Sequence, residues 1–231
     1  MIDAIRDLTV ANHILSFKGV LDSFGHISVR HPGDAGRYLM SRAKAPSQIT
    51  PEDILEYTLD STPVAQKGFA LYAERPIHGC IYQARPDVMA ICHNHARELL
   101  PFAVTKTSMR PAIHVAAAIG QNVPVWDIRD EFGDTNLLVS TNEMGKSLAR
   151  CLGNGRAALM RGHGSVVAGT TIRDAVFTSY YLQVNAAVLL EGRALGEVQF
   201  LSPGEVDLAS HTKAMTMAQD RAWDEWVAQV G

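Results

Sequence analysis

The sequence predicts a layered α/β or α+β domain in which helices flank a mixed sheet. Short apolar runs bounded by Gly, Pro and Asp turns alternate with longer stretches of helical periodicity. The 231 residues, 47% of them hydrophobic, suffice for one sizeable core. No Ser/Gly/Pro-rich linker, charge block or repeat divides the chain, so residues 1–231 read as one domain, the last thirty or so a C-terminal helical extension.

The elements follow in order. Ile5, Leu8, Ile14 and Leu15 lie near helical spacing and predict a helix over 2–19. "HISVR" (26–30) and "YLMS" (38–41) read as strands around a Pro/Gly/Asp turn. "PEDILEYTL" gives a helical turn and another strand. Residues 74–84 read as a helix that tolerates Pro76 in its first turn. "DVMAICHNH" is a strand whose apolar run ends in polar residues, and "ARELLPFAV" is helical after it. "VPVWDI", "AALMRG" and "GSVVAG" are further strands, with helices at 141–152 and 171–191. "SPGEVDLASHTKAM" opens the last helical region, with Ser202 as cap and Pro203 at the first position.

Composition removes several functions. The formal charge is −3, and the 21 Lys and Arg residues are scattered, unlike the clustered basic face of a nucleic-acid binder. Cys80, Cys92 and Cys151 form no CxxC pair, which speaks against a disulfide framework and for a reducing cytoplasm. "MIDAIRDLTVANHIL" lacks a signal peptide's apolar core, and no apolar stretch approaches the roughly 20 residues of a membrane span. The expectation is a soluble, intracellular protein.

Three pieces carry chemistry. In "AICHNHAREL", His93 and His95 stand two apart, so a strand would project both to one face. Neutral imidazoles there suit zinc, manganese or iron, although two surface histidines give the same pattern. In "MRGHGSVVAG", His163 lies between Gly162 and Gly164, whose freedom suits a side chain aimed into a crowded site or an ordinary turn. Glu74 in "ALYAERPIHGCIY" opens a helix, where it could complete a shell of three histidines and one carboxylate, act as a base, or answer the helix dipole.

Together these pieces resemble the class II aldolase family, the zinc-dependent aldolases and epimerases of sugar phosphates with their non-catalytic adducin-type relatives. The matching segments are "FGHISVR" (24–30), "ERPIHGCIYQARPDVMAICHNHA" (74–96), "RPAIHVAAAIG" (110–120) and "RGHGSVVAG" (161–169), in the family's order. The resemblance implies an α/β/α fold with a central, largely antiparallel sheet and a homotetramer with active sites at subunit boundaries. It implies that His93, His95 and His163 ligate one divalent metal. Glu74 then holds the place of the catalytic glutamate, which ligates the resting metal or works as acid/base.

The departures from that family redirect the substrate. Where its aldolases hold a phosphate with a Gly-Asn pair, this chain has Gly25-His26. Where they have a Thr-Gly turn and a Ser-Ser-Glu run, it has Arg42-Ala43 and Tyr72-Ala73-Glu74. A phosphate needs converging donors, and these positions offer few. His26, Arg42 and Lys44 instead suit a flat carboxylate, which Arg can grip with two parallel bonds; solvated loop charges are the plain alternative. Val115 follows His114 where the aldolases place a proton-donating tyrosine. These changes resemble a branch of metal-dependent decarboxylases of dihydroxyphthalates and of a hydroxymethylpyridine dicarboxylate.

The expected reaction is decarboxylation of a hydroxylated aromatic or pyridine dicarboxylate, with Glu74 or His26 delivering the proton. Gly25, Ser28, Arg42, Lys44 and His78 are the expected substrate contacts. His78, four residues after Glu74, would orient that carboxylate or a substrate, or be structural, and His114 has similar standing. The cofactor is one Mn2+ or Zn2+ per subunit, with Co2+ or Fe2+ compatible. An aldolase or epimerase of sugar acids or sugar phosphates, an adducin-like binding domain and an iron-dependent oxygenase are the rivals. Trp223, Trp226 and Phe200 read as packing or as a lid over an aromatic ring, and Tyr180 and Tyr181 as core. His13, His31 and His211 have no partner in the pattern.

Overall fold

The structure, a computed structural model, describes residues 1–65, 68–210 and 212–231, so His211 lies outside the described residues. A seven-stranded sheet runs through its centre. The strands are β1 (His26–Arg30), β2 (Arg37–Ser41), β3 (Ile54–Thr58), β4 (Ala90–Asn94), β5 (Val125–Trp126), β6 (Ala157–Met160) and β7 (Gly164–Gly169), in spatial order β3-β2-β1-β4-β7-β6-β5. All neighbours are antiparallel except β5 and β6, so the sheet is mixed and largely antiparallel, as expected.

The helices are α1 (Ile2–Phe17), α2 (Arg75–Ala84), α3 (Leu100–Ala103), α4 (Arg129–Phe132), α5 (Asn142–Leu152), α6 (Ile172–Leu195), α7 (Pro203–Ser210) and α8 (Lys213–Val230). One face of the sheet carries α1, α6 and α8 over a core that includes Leu8, Ile27, Cys92 and Phe177. The other carries α2 and α5 over Ile77, Ile91, Leu148 and Val166. Both faces of β4 and β7 are therefore covered, which is why these strands read as apolar runs without alternation. The period-two alternation of side chains sends Ile27 and Cys92 to one core, and His26, Ser28 and His93 to the α2 side.

Several boundaries differ from the sequence reading. β4 stops at Asn94 because the Asn94 Oδ1 accepts the Ala96 N–H at 3.2 Å, a side-chain turn that breaks the ladder. "ARELLPFAV" becomes a 3-10 turn (Arg97–Leu99) and one helical turn, and "VPVWDI" pairs only over Val125–Trp126. The C-terminal extension is packed into the fold. Trp223 and Trp226 are buried among α1 and α6 side chains, with the Trp226 ring 5.0 Å from that of Tyr180. Tyr180 and Tyr181 are half-buried at this seam instead of in the core. Phe200 lies under the Arg110 guanidinium at 4.8 Å.

His13 gains a partner that only the fold supplies, the Ile49 carbonyl at 2.8 Å, whereas His31 Nδ1 accepts the N–H of Gly33, two residues on, at 3.1 Å. All three cysteines are free. Among the described residues no helix is long and apolar enough to cross a membrane.

Buried Arg30 ties the end of α2 to the sheet. Its Nε donates to Val88 O at 2.9 Å, Nη1 to Ala35 O at 2.8 Å, and Nη2 to Tyr82 O and Arg85 O at 2.9 Å each. Methionine would fill the space and leave four carbonyls without that donor. We expect Arg30→Met to cost about 3 kcal/mol. Calorimetry should then read a melting temperature about 6–12 °C lower.

Candidate metal centre

Four side chains from three places in the chain converge beyond the end of β4. His93 is held by β4, in register with His26 of β1 and Val166 of β7. His95 leaves the strand at the Asn94 turn. His163 sits in the tight β6–β7 turn, where its N–H donates to Met160 O at 3.0 Å and Gly162 takes φ +66. Gly164 is needed because a Cβ there would stand 2.2 Å from Asn94 O and 2.9 Å from the His95 ring. Glu74 is the N-cap residue of α2, yet its carboxylate does not cap the helix. Its Oε1 accepts the Val139 N–H at 2.9 Å, and its Oε2 lies 3.5 Å from His93 Nε2 and 3.4 Å from His163 Nε2.

Ligand atoms of these four residues all lie within 4.8 Å of one another. The His95 and His163 rings stack at 5.2 Å, and His93 stands edge-on to both. The His93 Nδ1 donates to Ser165 O at 3.0 Å, and the His95 Nδ1 is paired with the Asp22 carboxylate at 3.1 Å. Both bonds leave Nε2 with its lone pair, and these two lone pairs face each other at 3.0 Å. That arrangement calls for a cation between them.

Donors bound to a tetrahedral zinc at about 2.0–2.1 Å would stand about 3.3 Å apart, close to the 3.0, 3.4 and 3.5 Å between His93 and His95, His163 and Glu74, and His93 and Glu74. The donor set therefore fits a divalent cation. Burial would raise the Glu74 carboxyl, but N–H donation and positive charge from the His163 and His93 imidazoles, in the state where those rings carry the proton, outweigh it and hold the group well below the usual carboxylate range. Burial, reinforced by His93, lowers the His95 imidazole and keeps it neutral for ligation.

Asp22 is a residue the sequence reading missed. Besides orienting His95, its Oδ1 accepts the N–H groups of Phe24 (2.9 Å) and Gly25 (2.8 Å). An Asp followed by Ser, Phe and Gly is a turn signal, but nothing in it announces the His95 contact. We expect Asp22→Ala to weaken metal binding about 10–100-fold, read by competition with a chelating dye.

Beside the cluster opens a cleft of about 710 Å³ walled by Phe24, Tyr72, Leu71 and Leu138, with His26, Glu74, His95 and His163 on its floor. Phe24 is 71% exposed. The Tyr72 ring lies 4.5 Å from His26, and its hydroxyl donates to Lys44 O at 2.6 Å. His26 Nε2 has no hydrogen-bond partner among the described residues, and burial, with His78 and His93, lowers its pKa well below the ordinary value.

Other expected substrate contacts are placed differently. The Arg42 Nε donates to Asp53 Oδ1 at 2.6 Å, and the Lys44 Nζ to Asp53 Oδ2 at 2.7 Å. Lys44 borders the cleft but Arg42 does not, its guanidinium lying 4.9 Å over the Phe69 ring. Ser28 and His78 are fully buried behind His26, and Gly25 is packed against Leu21 and the His93 backbone. His114 is exposed and, like Trp223, Trp226 and Phe200, stands outside the cleft walls, so among the described residues no C-terminal lid lies over the site.

A helix–sheet–helix sandwich with three imidazoles and a carboxylate gathered beyond the end of its central strand β4 defines a class II aldolase-type protein. Residues 6–190 match the model of the Class II Aldolase and Adducin N-terminal domain, and the chain belongs to that family. Decarboxylase tropJ of Talaromyces stipitatus is 32% identical over 98% of this chain and 93% of its own length. The L-fuculose phosphate aldolase of Escherichia coli is 28% identical over 79% of this chain and 80% of its own. The 3,4-dihydroxyphthalate decarboxylase of Arthrobacter keyseri is 24% identical over 82% and 78%. In structure, an aldolase II superfamily protein from Pseudomonas syringae superposes with a TM-score of 0.80 at 19% identity, covering 99% of this chain and 92% of that one. Decarboxylases and aldolases are both carbon–carbon lyases, which is the class of this chain.

Proposed function

We propose that the protein is a metal-dependent decarboxylase of a hydroxylated aromatic or pyridine dicarboxylate, such as a dihydroxyphthalate. One observation carries the reading: two of the three places of the family's phosphate donors are taken by flat rings. Tyr72 on the wall of the cleft stands 4.5 Å from His26 on its floor, and Phe24 is exposed at its rim. Arg42 and Lys44 share the Asp53 carboxylate, one on each oxygen, so neither is an unpaired donor for a phosphate. Two of the relatives named above are decarboxylases, one of a dihydroxyphthalate.

His93, His95, His163 and Glu74 would hold the cation, which as a Lewis acid stabilises oxyanion charge on the substrate by several kcal/mol. Tyr72, Leu71 and Leu138 exclude water from one side of a planar ring. Glu74, ionised at rest, would complete the donor set with its Oε2 while Oε1 stays on the Val139 N–H. His26 Nε2 points its unpartnered nitrogen at the substrate's polar edge. Manganese or zinc is preferred, with cobalt or ferrous iron compatible with the same donors. A cytoplasmic homotetramer completes the reading.

The test is a panel of hydroxylated aromatic dicarboxylates against sugar phosphates, with product identification. Carbon dioxide from the former alone supports the proposal. Aldehyde release from sugar phosphates would make the chain an aldolase, and protein purified without stoichiometric metal would favour an adducin-like binding domain.

A further inference from the structure

Behind the cleft runs a buried chain of four side chains. The Tyr82 hydroxyl lies 2.8 Å from Ser28 Oγ, which lies 2.6 Å from His78 Nδ1. His78 Nε2 in turn lies 2.7 Å from His26 Nδ1, and the chain ends at the unpartnered His26 Nε2 in the cleft floor. The four residues are at most 1% exposed. None of these polar atoms has water as an alternative partner, so the direction of each hydrogen bond matters.

The direction follows from the far end. Among the described residues, Ser28 Oγ is the hydrogen-bond partner of the Tyr82 hydroxyl. A buried O–H without an acceptor is costly, whereas an oxygen with a spare lone pair costs little. Tyr82 therefore donates to Ser28. Ser28, with one proton to give, donates to His78 Nδ1. A neutral His78 then carries its proton on Nε2 and donates to His26 Nδ1, leaving the His26 proton on Nε2. Reversing the chain would strand the Tyr82 proton in the core, whereas the proton on His26 Nε2 faces the cleft, where a ligand can accept it.

We propose that Tyr82 and Ser28, acting through His78, lock His26 in the Nε2–H tautomer, so that the cleft offers one fixed N–H donor to a carboxylate oxygen of the substrate. Tyr82, Ser28 and His78 are positioning residues and touch no substrate, which gives the expected roles of Ser28 and His78 a different form. The phenol at the far end holds its proton more tightly than free tyrosine because it is buried, so the chain orients His26 without relaying a proton to it. The tautomer belongs to the resting protein; only the carboxylate as its acceptor rests on the decarboxylase reading.

The experiment is long-range proton–nitrogen NMR of the zinc-loaded protein labelled with 15N-histidine, with His26 assigned from a His26→Gln spectrum. We expect a protonated Nε2 and a bare Nδ1 on both His26 and His78. Adding phthalate, an unreactive dicarboxylate, should move the His26 Nε2 proton downfield. Tyr82→Phe and Ser28→Ala should each give a mixture of tautomers, while Ser28→Thr keeps the single form. A wild-type His26 protonated on Nδ1 overturns the proposal, as does a tautomer unchanged in both disrupting variants. An unmoved proton under saturating phthalate removes the carboxylate as acceptor. The wild-type spectrum decides the tautomer even if Tyr82→Phe fails to fold. None of these readouts needs turnover, so a single Nε2–H form without carbon dioxide release would sink the decarboxylase reading alone.

Discussion

His93→Ala should yield a folded protein with no stoichiometric metal and a turnover lower by about a thousandfold, the equivalent of roughly 4 kcal/mol of Lewis-acid stabilisation. His93 is the hub of the cluster. Its Nε2 stands 3.0 Å from His95 Nε2 and 3.5 Å from Glu74 Oε2, and its ring is edge-on to His163. Its removal leaves two imidazoles carried on turns, without the one donor fixed inside a strand. The fold survives because the ring's structural contribution is a cavity and one bond to Ser165 O, together about 2–3 kcal/mol. Elemental analysis after dialysis and far-ultraviolet circular dichroism separate the two effects. Exposed His114→Ala serves as the control and should change neither. Metal near one equivalent in His93→Ala would place the cation elsewhere.

The parts of this centre that were legible in the sequence are those fixed by local geometry. The two-residue spacing marked His93 and His95, although the Asn94 turn and not the strand brings His95 to the site, flanking glycines marked His163, and the start of a helix marked Glu74. The layered fold was legible for the same reason, since β4 and β7 are buried on both faces and β1 and β2 flank a turn. What was not legible depends on pairings set by the tertiary structure. Arg42 and Lys44 read as grips for a carboxylate, and they do grip one, but it is Asp53 on the neighbouring turn. His78 read as a neighbour of Glu74 one helical turn on, yet its hydrogen-bond partners come from β1, whose register no helical pattern reveals. The Val139 N–H that holds Glu74 has no side-chain signature at all. Trp223 and Trp226 looked free to form a lid because the docking of α8 on α1 and α6 cannot be read from α8 itself.

Glu74→Gln should lower kcat about a hundredfold to a thousandfold and weaken metal affinity about 10–100-fold, while leaving the metal-free protein at least as stable as the wild type. In the wild type the carboxylate accepts the Val139 N–H with one oxygen and turns the other toward two imidazole nitrogens. With neutral imidazoles and no cation, that second oxygen faces lone pairs and is repelled. A glutamine keeps the Val139 bond through its carbonyl and presents its NH2 to the same nitrogens, where it can donate. That new bond stabilises the empty site by about 1 kcal/mol. The same NH2 opposes a divalent cation, and the bound site gains a full positive charge in a pocket where Glu74 is only 7% exposed. Metal raises thermal stability in proportion to the logarithm of its concentration over its dissociation constant. The rise in melting temperature on adding zinc should therefore shrink in Glu74→Gln, even as the metal-free melting temperature holds or increases. Equal zinc-induced shifts in the two proteins would show that Glu74 does not face the cation.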